Sequence, residues 1–274
     1  MIEERAHAKV NLVLRVGPPR PDGYHPLCSL FASLELADRV LVEPAKRDEV
    51  VCVGVDGANL ADTALAAFRS AVPAAELPPL RIEIEKRIPV AAGLAGGSAD
   101  AAAVLRAANA IAGSPLSVEA LRRLAADIGA DVPSQVLTTH SLVSGIGEVV
   151  EPLDLPAMTL VLVPQDEGLS TAAVYEELDR IGRFAGDLDR EPLRAVAARP
   201  LEGLVAGLAN DLQPVALSLR PELADTLDAL TDAGALAAQV TGSGPTTFGV
   251  FSDRAVAESA AGQLPGAIVT GLNV

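Results

Sequence analysis

The sequence predicts an α+β fold. Three observations carry this expectation. Residues 80–88 alternate isoleucine with charge (Arg81, Ile82, Glu83, Ile84, Glu85), the period-two pattern of a half-buried strand. Residues 99–112 are alanine-rich and of high helix propensity. Further strand and helix patterns are interleaved along the chain rather than segregated. With 274 residues, half of them hydrophobic, the chain can bury a substantial core. Aromatics are only 3% and Trp is absent, so that core is built mostly from Ala, Val, Leu and Ile.

Taken in order, residues 6–16 read as a strand and 17–24, rich in Pro, Gly and Arg, as a turn. Strands are expected at 30–36, 39–42 and 50–55. Asp62 is expected to cap a helix running to about residue 71. After the strand at 80–88 comes a glycine-rich loop at 89–97, with Ser98 expected to cap the alanine-rich helix. Ser117 caps a second helix, 118–128, with Glu119 in its first turn. Residues 129–133 form a tight connection. Short strands follow near 141–144 and 158–163, and helices near 171–181, 190–198 and 221–232. The chain closes with a strand at 236–240, a glycine turn at 241–245, a strand at 246–251, a helix at 253–263 and a strand at 267–270. Two prolines between strands, Pro152 and Pro156, place a domain boundary near 151–156.

The formal net charge of −15 disfavours nucleic acid and anionic membrane as partners. It does not exclude a phosphate ligand, because a local pocket rich in N–H groups can hold one. Cys28 and Cys52 fit neither a metal knuckle nor a redox pair and are expected as reduced core thiols. The opening MIEERAHAKV has no apolar signal core, and the aliphatic runs are too short to span a bilayer. A cytoplasmic, soluble monomer or homodimer is the expectation.

The most informative stretch is Pro89-Val90-Ala91-Ala92-Gly93-Leu94-Ala95-Gly96-Gly97-Ser98, between a strong strand and a strong helix. Glycines let the backbone approach a ligand, and the free N–H groups of a helix start favour an anion. Ser98 can donate to a phosphate or hold Mg²⁺. The loop lacks the lysine of a Walker A motif and the spacing of a dinucleotide fold. By itself it reads equally well as a strand-to-helix connection with small residues for close packing. It resembles, however, the phosphate loop of the GHMP kinases, P-x-x-x-G-L-x-x-x-S-x-x-A-A. The strand Ala8-Lys9-Val10-Asn11-Leu12 and the turn Thr241-Gly242-Ser243-Gly244-Pro245-Thr246 resemble the same superfamily, in the right order. That resemblance implies an N-terminal ribosomal-protein-S5-like ATP domain, 1–150, packed on a C-terminal ferredoxin-like α+β domain, 151–274.

Within the superfamily, Arg20-Pro21-Asp22-Gly23-Tyr24-His25 resembles the signature of the 4-diphosphocytidyl-2-C-methyl-D-erythritol kinases. So do Ile128-Gly129-Ala130-Asp131-Val132-Pro133 and Asn210-Asp211-Leu212-Gln213-Pro214. This implies transfer of the ATP γ-phosphoryl, with Mg²⁺, to a tertiary hydroxyl of a cytidylylated methylerythritol, a step of the non-mevalonate isoprenoid pathway. Such chemistry needs positioning and charge neutralisation, and a carboxylate can act as general base on a poor alcohol nucleophile. Asp131 stands in a constrained turn, where an Asp is more commonly a hydrogen-bonding turn residue. Lys9, Lys46 and Lys86 are the only lysines beside eighteen arginines. A strand lysine between Ala8 and Val10 is therefore either a solvent-facing edge residue or a chosen ammonium. The resemblance implies that Asp131 and Lys9 are catalytic.

Asn11 is expected on the other face of a regular strand, reaching substrate only if the strand bends or ends there; the resemblance nonetheless implies contact. Tyr24 and His25 suit the π-face and hydrogen-bonding edge of a cytosine. Tyr175 resembles the second aromatic of a base sandwich, and reads equally as an amphipathic packing residue. Gly242 and Ser243 are implied as substrate contacts. His7 and His140 suggest no partner.

Two departures from the family pattern stand out: Ala95 for a usual glycine and Ala99 for a second serine, both expected to keep a helix-compatible backbone. Residues 134–140 lack the glycine pair that the family pattern carries there. The competing readings are another GHMP kinase, of homoserine or mevalonate type, a non-catalytic binding protein on the same fold, and an α+β protein with structural glycine loops.

Overall fold

Two long antiparallel strands, β1 (Ile2–Val16) and β2 (Leu27–Pro44), form the spine of the molecule. The structure, a computed structural model, describes residues 1–55, 59–73 and 76–273. The expected pair of strands at 30–36 and 39–42 is one strand, because Ala37 and Asp38 stay paired with His7 and Ala6. The chain continues through β3 (Glu49–Cys52), α1 (Leu60–Ala71), β4 (Leu80–Glu85), α2 (Gly96–Ile111), α3 (Val118–Ala126), α4 (Val132–Gln135), β5 (Ser141–Gly145) and β6 (Val149–Pro152). It then runs through β7 (Thr159–Val163), α5 (Thr171–Ile181), α6 (Arg190–Ala197), α7 (Leu201–Val205), β8 (Ala209–Asn210), α8 (Gln213–Leu219), α9 (Leu223–Asp232), β9 (Ala237–Val240), β10 (Thr247–Phe251), α10 (Arg254–Ala261) and β11 (Ile268–Gly271).

The first sheet has seven strands. β1 lies along one edge of β2, while β4 and β5 share the other edge, β4 on the Arg39–Pro44 end and β5 on the Leu27–Phe31 end. β8, from the later half, adds to β1 in parallel at Val13 and Leu14. The second sheet is four-stranded and antiparallel, in the order β11-β7-β10-β9. This mixture is the α+β class expected from the sequence.

Two main cores hold the layers together. Ala6, Val40, Val42, Ile82 and Ile84 of the first sheet pack with the alanines of α2 and with Phe68 of α1. α2 is buried on most of its circumference, and its short side chains let sheet and helices approach closely. Ala8, Val10, Leu12, Leu30 and Leu34 pack instead with Leu160, Leu162, Phe248 and Val250 of the second sheet. A register irregularity between His7 and Lys9 separates the two groups on β1. The far face of the second sheet is covered by α9 and α10 through Leu230, Ala257 and Ala260.

Helix starts differ from expectation at two places. α1 begins at Leu60, capped by Asn59, whose side chain accepts from the Ala61 amide at 2.9 Å; Asp62 lies in the first turn. α2 begins at Gly96 rather than after Ser98, so Ser98 is a first-turn residue and not the cap. The cap position is Ala95, in the left-handed region at φ 58°, ψ 28°. The expectation of a helix-compatible Ala95 is therefore corrected; the chain reverses there to enter the helix, which is why a glycine is favoured at such a position. His7 is buried and His140 half-buried. His7 Nδ1 bonds the Leu34 carbonyl at 2.7 Å, and His140 Nδ1 accepts from the Ser33 amide at 3.1 Å. Cys28 and Cys52 are free thiols. Among the described residues no helix is long and apolar enough to cross a membrane.

Candidate active site

A cleft of about 800 Å³ gathers residues from both halves of the chain. Every site residue singled out from the sequence lines it: Lys9 and Asn11 from β1, Tyr24 and His25 from the turn after it, the whole loop from Pro89 to Ser98, Asp131, Tyr175, and Gly242 with Ser243.

Lys9 is not an edge lysine. It is 5% exposed, its ammonium lies 4.7 Å from the centre of the Phe31 ring, and it donates to Asn11 Oδ1 at 2.7 Å. Its Nζ stands 3.4 Å from Asp131 Oδ2. Asp131 occupies the N-cap position of α4 without using its side chain as a cap. Its carboxylate, about a third exposed, is thus free to face the cleft and the ammonium. The expectation that Asn11 points away is corrected. Residues two apart on a strand share a face, so Lys9 and Asn11 project together. Asn11 is fixed on every side: its Nδ2 donates to Ser29 Oγ at 2.9 Å, and its amide donates to Thr241 Oγ1 at 3.0 Å. A buried ammonium held by an amide oxygen and a carboxylate, over an aromatic ring, is pre-oriented rather than mobile.

The glycine loop is hung from β1 by the Lys9 amide, which donates to the Leu94 carbonyl at 3.1 Å. Gly93 adopts φ 76° and abuts the C-terminal glycine turn. Ala91 and Ala95 are also left-handed, at φ 56° and 58°. Gly242 lies against the Lys9–Asn11 pair, since a Cβ there would stand 3.3 Å from Asn11 Oδ1. Asn210 holds this turn by donating to the carbonyls of Val240 and Gly242 at 2.7 and 2.8 Å. Ser243 shares a 3.0 Å hydrogen bond with Thr171 at the start of α5.

The remaining end is aromatic. His25 is buried and donates through Nδ1 to the Gly17 carbonyl at 2.9 Å, while its Nε2 stands 3.4 Å from Asp179 Oδ1. The Tyr175 ring lies 5.0 Å from that imidazole, tilted by 48°, and Phe184 backs it at 5.8 Å. Burial, with Asp131 adding, pushes the Tyr175 phenol up to about 12. Tyr24 is 61% exposed, a large ring left open at the cleft wall.

Comparison with known proteins bears on this arrangement. The model of the GHMP kinases N terminal domain matches residues 59–139, and that of the GHMP kinases C terminal matches residues 193–268. The chain is 41% identical over 267 residues to a 4-diphosphocytidyl-2-C-methyl-D-erythritol kinase of Streptomyces avermitilis, covering 94% of this chain and 90% of that one. The chain belongs to the GHMP kinase family. A second kinase of the same name, from Thermobifida fusca, is 43% identical over 88% of this chain and 84% of its own. A crystal structure of 4-(cytidine 5'-diphospho)-2C-methyl-D-erythritol kinase superposes with a TM-score of 0.85 at 36% identity, over the full length of both chains. The L. major mevalonate kinase is more distant, matching with a TM-score of 0.73 at 12% identity, which shows the shared fold alone. As a kinase, the chain takes ATP as its phosphoryl donor.

This GHMP kinase has a second charged cluster in the cleft that sequence reading missed. Lys86 donates to Asp100 Oδ2 at 2.7 Å and is also hydrogen-bonded to Asp38. Asp38 and Asp100 are 1% and 2% exposed. Burial pushes the Asp100 carboxyl up to about 7, against the pull of Lys86. Burial opposes the Lys86 charge as well, but the two carboxylates outweigh it and raise its pKa. One signal was available in the sequence: Lys86 is one of three lysines and stands just ahead of the glycine loop, separated from it by Arg87 and Ile88.

Proposed function

We propose that the chain phosphorylates the 2-hydroxyl of 4-diphosphocytidyl-2-C-methyl-D-erythritol at the expense of ATP, in the non-mevalonate route to isoprenoid precursors. The observation that carries this reading is the 3.4 Å approach of Lys9 Nζ to Asp131 Oδ2, in the cleft that the glycine loop and the His25–Tyr175 pair also line. A hydroxyl delivered there meets a carboxylate on one side and the terminal phosphate on the other. Names and identities of relatives over nearly the full chain support the cytidylyl acceptor.

In this reading Asp131 accepts the hydroxyl proton as the oxygen attacks the γ-phosphorus, and the bond to the bridging oxygen of ADP breaks. Lys9 keeps Asp131 in place and offers its ammonium to the charge that develops on the transferring group. Asn11 fixes Lys9. The amides of residues 93–98 and the N-terminus of α2 receive phosphate oxygens. Tyr24 and Tyr175 bracket the cytosine, while His25 reads its edge and Gly242 and Ser243 line the acceptor's path. No three His, Cys, Asp or Glu side chains gather as a metal set among the described residues. The Ser98 hydroxyl, in the first turn of α2 and on the cleft wall, would be the protein contact of a Mg²⁺ ion carried on the nucleotide. When bound, such an ion would supply charge neutralisation to the nucleotide's phosphates.

The test is ADP release by the purified protein with the cytidylylated methylerythritol, homoserine or mevalonate as acceptor. ADP is expected with the first alone; turnover of either of the others in its place would overturn the assignment.

A further inference from the structure

β4 ends at Glu85, paired with Arg39 of β2, but the next amides do not continue the ladder. The amides of Arg87 and Ile88 donate instead to a side chain, Asp38 Oδ1, at 2.6 and 2.8 Å. The other oxygen of the same carboxylate takes the Lys86 ammonium. One buried residue thus peels the chain off the sheet where the glycine loop begins. Lys86 then reaches across the loop to Asp100, in the second turn of α2, so that both ends of the loop are tied through one ammonium. The fit is close: a Cβ on Gly96 would lie 3.3 Å from Lys86 Nζ and 3.1 Å from Ile88 Cγ2. In a chain that otherwise uses arginine, a compact ammonium fits between two carboxylates where a planar guanidinium does not.

We propose that Asp38 is a positioning residue for the nucleotide: through Lys86 and the 87–88 amides it sets the height and spacing of the loop that receives the triphosphate. Asp38 itself touches no ligand, being buried behind the loop. The inference rests on the reading of this loop as the ATP site.

The test compares two ligands by calorimetry, adenylyl imidodiphosphate and the cytidylylated methylerythritol, each added alone. The proteins are wild type, Asp38→Asn, Lys86→Met and the double variant. Asp38→Asn is expected to weaken the ATP analogue at least tenfold and to leave the cytidylyl ligand within twofold. Because Asp38 acts through Lys86, the double variant is expected to be no weaker than the weaker single one. Analogue affinity within twofold of wild type, an equal loss for both ligands, or losses that multiply in the double variant would each overturn the proposal. If Asp38→Asn does not fold, Lys86→Met decides alone, by the same selective tenfold loss or its absence. A wild-type protein that binds the analogue but not the cytidylyl ligand would sink the acceptor assignment and leave the positioning role standing.

Discussion

Gly93 and Gly244 meet backbone to backbone: a Cβ on Gly93 would lie 2.6 Å from the Gly244 carbonyl oxygen. Two loops from the two halves of the chain therefore touch, and no flexible side chain stands between them to yield. Gly93→Ala adds a methyl to that contact and strains a residue at φ 76°. It is expected to cost roughly 1–3 kcal/mol of stability. Chemical denaturation measures this, and an unchanged midpoint would show that the two loops part freely.

Ala95 gives the opposite case. It holds φ 58° with a side chain, a conformation that costs an L-residue about 1–2 kcal/mol. Ala95→Gly relieves this but loosens the unfolded chain by roughly 0.4–1 kcal/mol. The net expectation is a gain of about 0.5–1 kcal/mol. A thermal shift downwards would contradict a left-handed Ala95.

Asp131→Asn removes the proposed proton acceptor while preserving shape. Turnover is expected to fall by roughly 10²–10⁴, the usual range for general base catalysis, with circular dichroism unchanged. Lys9→Ala is expected to lose orders of magnitude as well, because Asn11 Oδ1 and Asp131 lose the ammonium between them. Near-normal kcat in either variant would remove that residue from the mechanism.

His25→Ala should act on the acceptor. The imidazole is held by Gly17 and stacked near Tyr175, away from the loop anchors. A rise in KM for the cytidylylated substrate is expected, with KM for ATP within about twofold, a change worth only some 0.4 kcal/mol. A loss confined to ATP would reverse the assignment of the two ends of the cleft.

Acid should destabilise the fold through His7 and His140. Burial lowers both pKa values from the ordinary 6.5. Below pH 6.5 the unfolded chain binds these protons and the folded one does not, so stability falls as pH drops toward the folded values. The slope is up to about 1.4 kcal/mol per pH unit for each histidine. Denaturation between pH 7 and 5 should be flatter in His7→Gln and His140→Gln; identical slopes would show that carboxylates alone govern this range.

Local chemistry explains what was legible. The alternation at 80–85, the Ser117 cap and the alanine run of α2 declare themselves within a few residues. So do the glycine loop and the Asp22-Gly23-Tyr24-His25 turn, whose residue types narrow the chemistry before any contact is known. A boundary is not legible where it depends on what lies opposite. β2 runs unbroken because β1 pairs with its middle, whereas the shared side of Lys9 and Asn11 follows from their two-residue spacing and is legible in the sequence. β8 exists only because β1 offers it an edge.

The amino-acid order alone determined that this chain carries a glycine-rich loop between a strand and a helix, a strand lysine, a turn aspartate and a Tyr-His turn, all on an α+β frame. Tertiary structure decided that Lys9 meets Asp131, that the two glycine turns touch, and that Asp38 and Asp100 share Lys86. Backbone propensity and periodicity act between neighbours in sequence. A buried ammonium's partners are chosen by desolvation, which penalises any charge left unpaired and operates only once distant segments have packed.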